Sequence, residues 1–139
     1  MTQSIDRIVI DFIPHDQQRY PTVGDWLYEG STLLIRVSRT ADPRHEQLVA
    51  AHELVEVLQC NVDGVSQEVV DHFDTVTGKD LDEPGDSPDA PYHAQHMVAS
   101  AVERVLASAM HVDWETYADA LEALDPVPHL QVITKDDVV

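Results

Sequence analysis

This chain has a single cysteine, Cys60, which excludes an internal disulfide and fits a reducing compartment. Basic side chains are scarce too, with 8 against 26 acidic ones and a formal net charge of −18. Phosphate recognition needs clustered Lys and Arg, so neither nucleic acid nor an anionic membrane is an expected partner. Such a charge brings solubility and self-repulsion, and beyond that an affinity for cations or for a basic partner protein. No apolar run approaches the ~20 residues of a membrane span. The opening Met1-Thr2-Gln3-Ser4-Ile5-Asp6 has no basic start followed by an apolar region, so no signal peptide is expected. A Gly-rich phosphate loop, a G-x-S-x-G elbow and a paired C-x-x-C are all missing, which leaves those chemistries without support.

What is present fits one domain over residues 1–139, with 43% apolar residues and enough length to bury a core. Residues 5–13 alternate Ile8, Ile10 and Phe12 on one face and read as a strand ended by Pro14. Residues 25–28 and 33–37 flank Glu29-Gly30-Ser31-Thr32 as a hairpin, so a small, mainly antiparallel sheet is expected. Asp42 and Pro43 suit the start of a first helix running to about Cys60, with Asn61-Val62-Asp63-Gly64 as its stop and Leu48, Ala51, Val55 and Leu58 as its buried stripe. A second helix is expected over 65–76, buried through Val65, Val69, Phe73 and Val76. Residues 77–91, with five acidic groups against Lys79, read as a loop. A third helix follows from Pro91 to about Met110, with Val98, Ala101, Val102, Val105 and Ala109 as its buried face. Asp113 caps a fourth, which carries Trp114, Tyr117, Leu121 and Leu124 in a stripe and ends at Pro126 and Pro128. Residues 130–133 suggest an edge strand. The fold class expected is α+β, a small sheet packed by about four helices.

The chemistry centres on His52-Glu53-Leu54-Val55-Glu56. Residues i and i+4 of a helix share a face, so His52 and Glu56 can grip one divalent ion, most naturally zinc. Glu53 lies beside them, where a general base for a metal-bound water would sit. A catalytic zinc commonly has three protein ligands. The third is sought in Tyr92-His93-Ala94-Gln95-His96, where His93, His96 or both would serve and His96 is preferred. The plainer alternative makes His52 and Glu56 an ordinary helix-face pair and His93 and His96 solvated, since both lie opposite the apolar stripe of their helix. His72 reads as a surface residue, and His45 lies too far along the helix to share the ion. His15, His111 and His129 lack partner spacing. Glu83, Asp86 and Asp89 read as a solvated acidic loop, with orientation of a His as their other option. Cys60 reads as a core residue.

Over residues 33–60 and the later His segment, the order strand, H-E-x-x-E helix and helix with a further ligand resembles the minimal zincin-like metallopeptidases. That family has His where this chain has Glu56. The resemblance implies a zincin-like fold, a first metal ligand at His52 and a general base at Glu53. It implies nothing for Glu56 or His96. The chain, especially residues 51–56 and the stretches Glu83-Pro84-Gly85-Asp86 and Ala90-Pro91-Tyr92-His93-Ala94-Gln95-His96, also looks like a group of small proteins from bacteriophages and their hosts. That likeness implies a cytoplasmic protein acting inside an infected bacterium. The function expected is a zincin-like, metal-dependent hydrolase, in the first place a peptidase. The rival is a non-catalytic, metal-stabilised phage accessory protein that binds a protein partner through its acidic surface.

Overall fold

A computed structural model describes residues 2–124; Pro126, Pro128, His129 and the strand expected at 130–133 lie outside the described residues. Among those described, three strands and four α-helices form an α+β fold. Strands β1 (Arg7–Ile13), β2 (Gly24–Glu29) and β3 (Thr32–Ser38) make one sheet in the order β1-β3-β2. β2 and β3 pair antiparallel through a hairpin whose Gly30 sits at φ +61°, a left-handed value that favours glycine. β1 instead runs parallel to β3, so the sheet is mixed and not mainly antiparallel. The reason is the route of residues 14–23. The Gln18 amide reaches the Ser38 hydroxyl at the end of β3, and Arg39 N–H closes on the Ile13 carbonyl, so the chain is carried past β3 before it enters β2 on the far edge.

Along β3, Leu33, Ile35 and Val37 are fully buried under the helices. Each such side chain contributes about 1.5–3 kcal/mol by leaving water. Ile8, Ile10 and Phe12 stand beside them in register. Ile8 and Ile10 are nonetheless exposed, because helix α1 packs over β3 and β2 and leaves the β1 side open.

α1 spans Pro43–Asp63. The Asp42 carboxylate accepts from the Arg44 N–H, Pro43 takes the first turn, and Gly64 at φ +75° closes the far end. Its inward side is rotated from the expected stripe. Leu48 is buried, but Leu58 is 41% exposed, and Val49, His52, Glu53, Glu56, Val57 and Cys60 point inward. α2 (Gln67–His72) begins at the Ser66 cap and widens into a π turn over Phe73–Thr77. Here too the expected face is corrected: Val69 and Val76 are exposed, whereas Val70, Asp71, Phe73 and Thr75 are buried. Asp71 turns inward because it receives the Arg19 guanidinium, which also grips Asp25.

α3 (His93–Ala109) begins two residues after Pro91 and runs antiparallel to α1, as His52 meets Glu103 and Asp63 meets Gln95. Its buried residues are Gln95, His96, Ala99, Glu103 and Ala107. Val98, Ala101, Val102, Val105 and Ala109, the stripe expected inside, are all exposed. Polar residues win the interior here because they meet partners on α1, as the site below shows. α4 (Trp114–Glu122) starts at the Asp113 cap and buries Tyr117. No helix among the described residues is long and apolar enough to cross a membrane.

Candidate metal centre

α1 and α3 bring three donor atoms to one point. His52 Nε2 lies 3.2 Å from Glu56 Oε2 and 3.2 Å from His96 Nδ1, and His96 Nδ1 lies 3.0 Å from the same Glu56 oxygen. Ligands about 2.0–2.1 Å from a tetrahedral ion are roughly 3.3 Å apart, so the triangle has nearly the size that zinc coordination needs. His52, Glu56 and His96 therefore form a buried group able to hold a metal ion. Two imidazole nitrogens facing each other over one carboxylate oxygen is also an arrangement that a shared cation satisfies better than hydrogen atoms do.

The surroundings fix each ligand. His52 Nδ1–H donates to Glu103 Oε1 at 2.7 Å, and the Tyr117 hydroxyl of α4 holds the other Glu103 oxygen. His96 Nε2–H donates to Asp86 Oδ1 at 3.0 Å. Trp26 Nε1–H donates to Glu56 Oε1 at 3.1 Å, which leaves Oε2 for the triangle. Metal-binding imidazoles are ordinarily oriented by such carboxylates.

Glu53 lies beside the triangle, its Oε2 3.9 Å from His52 Nε2. Its side chain rests on the backbone of Gly24, where an added Cβ would come within 2.8 Å of Glu53 Cγ. Gly24 thus opens the space that Glu53 fills. Gly85 does the same for His96: a Cβ there would stand 2.5 Å from the imidazole Cγ and Nδ1. Gly85→Ala is expected to push His96 aside and weaken metal binding by about 10–100-fold, with the fold retained. A chelator competition titration measures it, and unchanged affinity would refute this role for Gly85.

Without an ion the cluster balances charge through protons. Burial, the largest influence on His52, pushes its pKa down, but hydrogen bonds to Glu103 and Glu56 and the Glu53 charge outweigh it and lift the imidazole to about 11. Burial likewise disfavours the Glu56 carboxylate, yet His52 and His96 hold it down at about 2. Glu53 goes the other way, well above the ordinary carboxylate range, through burial and the neighbouring Glu56 charge.

A half-buried carboxyl, Asp74, adjoins the centre. Asp74 accepts from the hydroxyls of Tyr20 and Tyr92, and the Tyr92 ring lies edge-on to His96. Burial raises Asp74 to about 7 from 3.8 against the pull of both tyrosines. A group raised in this way makes the folded state progressively less stable as pH climbs from 3.8 through 7. Asp74→Asn is expected to gain on the wild type by on the order of 2–4 kcal/mol between pH 4 and pH 8. Urea unfolding at the two pH values tests this, and parallel changes in both proteins would overturn it.

Of the expected residues, the structure joins His52, Glu56 and His96 and sets Glu53 beside them. His93 lies outside the group: its Nδ1–H donates to the Gly85 carbonyl at 3.0 Å. Asp86 reaches His96 although its side chain is 61% exposed, while Glu83 and Asp89 stay at the surface. His72 is exposed; His45 is buried against Asp42 and Tyr117. Glu103, Trp26 and Tyr117 were not legible as site residues. Glu103 had a signal, since it stands two helical turns from His96 on the same face. Trp26 had none. The chain matches no protein-family model, no curated protein and no solved structure.

Proposed function

We propose that this protein is a zincin-like hydrolase dependent on zinc or another divalent metal, that it cuts peptides, and that Glu53 is its general base. The observation that carries the reading is the triangle of His52, Glu56 and His96 donors with the Glu53 carboxyl 3.9 Å from one of them. A bound ion would supply Lewis acidity, polarising a carbonyl and bringing water's pKa toward neutrality. The chain's own side chains do the rest. Glu103 and Asp86 hold the two imidazoles in the tautomers that expose His52 Nε2 and His96 Nδ1. Trp26 turns one Glu56 oxygen toward both. Glu53, desolvated beside the triangle and with its carboxyl raised above the ordinary carboxylate range, accepts the proton of the attacking water. The resemblance to phage and host proteins supports a place of action in the cytoplasm of an infected bacterium.

One observation favours a second reading. His52, Glu53, Glu56 and His96 are each no more than 8% exposed, as in a structural metal site. In that reading the metal stabilises a non-catalytic accessory protein, and a protein partner meets the acidic surface.

Elemental analysis of untreated protein tests the metal, with about one equivalent expected and fewer than half retained after His52→Ala or Glu56→Ala. Fully folded metal-free protein that gains nothing from added zinc overturns both readings. A peptide library then separates them: wild-type cleavage supports the hydrolase, and complete silence overturns it.

A further inference from the structure

We propose that the outward face of α3 is a self-association surface, on which the same face of a second copy of this chain docks antiparallel about a two-fold axis. The inference is independent of the metal reading, because His96 and Glu103 lie on the opposite side of the helix. Ala94, Met97, Val98, Ala101, Val102, Val105 and Ala109 are all exposed, with Val105 at 73%. A continuous apolar face on a charged protein ordinarily marks an interaction site.

Charge indicates which partner fits. The chain carries 26 acidic residues, yet the only one on α3 is Glu103, which is turned inward. The exposed face bears one charge, Arg104, whose guanidinium lies at the margin over the Trp114 ring, 4.9 Å from its centroid. A basic partner would find nothing to pair with there. A second copy can approach through this face without setting carboxylates against carboxylates, which most of the remaining surface would do.

The order of residues points the same way. Read outward from between Ala101 and Val102, the face is symmetric but for one position: Val98 and Val105 lie at equal distance, then Ala94 and Ala109, while exposed Met97 has as its counterpart Leu106, which packs against the core. An antiparallel copy therefore sets valine against valine and alanine against alanine, with Ala101 and Val102 at the axis. This is the self-complementarity that an isologous contact requires. Small residues at the centre and ends let the two backbones come close. A seam of one 17-residue helix, about 25 Å long, is short for a permanent dimer, so a reversible one follows.

Sedimentation velocity of the full chain, from about 1 μM to about 1 mM, should show a monomer–dimer equilibrium. Raising the salt should strengthen it, since screening weakens repulsion between two bodies of charge −18. Val98→Glu and Val105→Glu should each weaken association at least tenfold while leaving metal content and circular dichroism unchanged. Ala101→Cys should cross-link to itself under mild oxidation; the wild type should not, because Cys60 is buried, and neither should Val62→Cys on α1. A chain monomeric throughout at high salt overturns the proposal and leaves the face to residues 125–139 or to another protein's helix. A dimer that survives both glutamates, or that fails to cross-link at position 101, overturns it equally.

Discussion

Zinc is expected to raise the midpoint of thermal unfolding by about 10–15 °C, and His52→Ala, Glu56→Ala or His96→Ala to abolish the rise. An ion that binds only the folded chain stabilises it by about 4 kcal/mol at a thousand times its dissociation constant. For a chain of this size each kilocalorie is worth roughly 2–4 °C or somewhat more. The ligands come from two helices, with His52 and Glu56 on α1 and His96 on α3, so the unfolded chain has no such triangle to offer. Differential scanning calorimetry with and without zinc measures the effect. A midpoint that zinc leaves unmoved in the wild type, or moves equally in the His96→Ala protein, would falsify the assignment of these ligands.

The pH dependence of that shift has a definite sign. In the metal-free fold the His52 imidazole holds its proton up to about 11 and His96 is also raised, so an ion must displace protons to bind. The zinc-induced shift should therefore grow as pH rises from 5 to 8 and shrink on acidification. The metal-free fold itself behaves differently. Stabilisation from the raised His52 is fully present below its ordinary 6.5 and fades as pH rises through 11. Stabilisation from the depressed Glu56 is present above 4.5 and fades as pH falls through 2. Neither is lost between pH 4.5 and 6.5, so a zinc effect that dwindles in that window reports protons competing for the ligands, not collapse of the site.

The parts of this design that could be read in advance are local. Asp42-Pro43 and Gly64 frame α1 by capping chemistry that acts within one turn, and His52 and Glu56 share a face by helical geometry alone. Which face turns inward is another matter. Periodicity says that Val98, Ala101, Val102 and Val105 belong together; it does not say that they are buried. On α3 the ordinary inference fails because His96 and Glu103 meet Glu56 and His52 across a helix pair, contacts made over 40 and 51 positions of chain. The same holds for α2 and the π turn after it, where Asp71 and Asp74 are drawn inward by Arg19 and two tyrosines. The parallel β1–β3 pairing likewise depends on the path of a distant connection and not on either strand's own alternation. Where polar residues occupy the interior, the displaced apolar ones become surface, and the site and the exposed face of α3 are thus two consequences of one rotation.

Glu53→Gln separates holding a metal from using it. The substitution keeps the shape that fits over Gly24, so metal stoichiometry should stay at about one and the triangle should be undisturbed. Turnover of any peptide that the wild type cuts should fall by about 10²–10⁴-fold, the usual worth of a positioned general base. A second readout needs no substrate. Because burial and the Glu56 charge raise the Glu53 carboxyl above its ordinary 4.5, its ionisation opposes folding, and that opposition builds as pH rises. The glutamine cannot ionise, so the metal-free variant should be more stable than the wild type at pH 8, and the gap should close near pH 4. Undiminished cleavage by Glu53→Gln would remove Glu53 from the mechanism even with the metal in place. A variant that loses the metal as well would show instead that Glu53 helps to hold the ion, making it a fourth ligand of a closed site and favouring the accessory reading over the hydrolase.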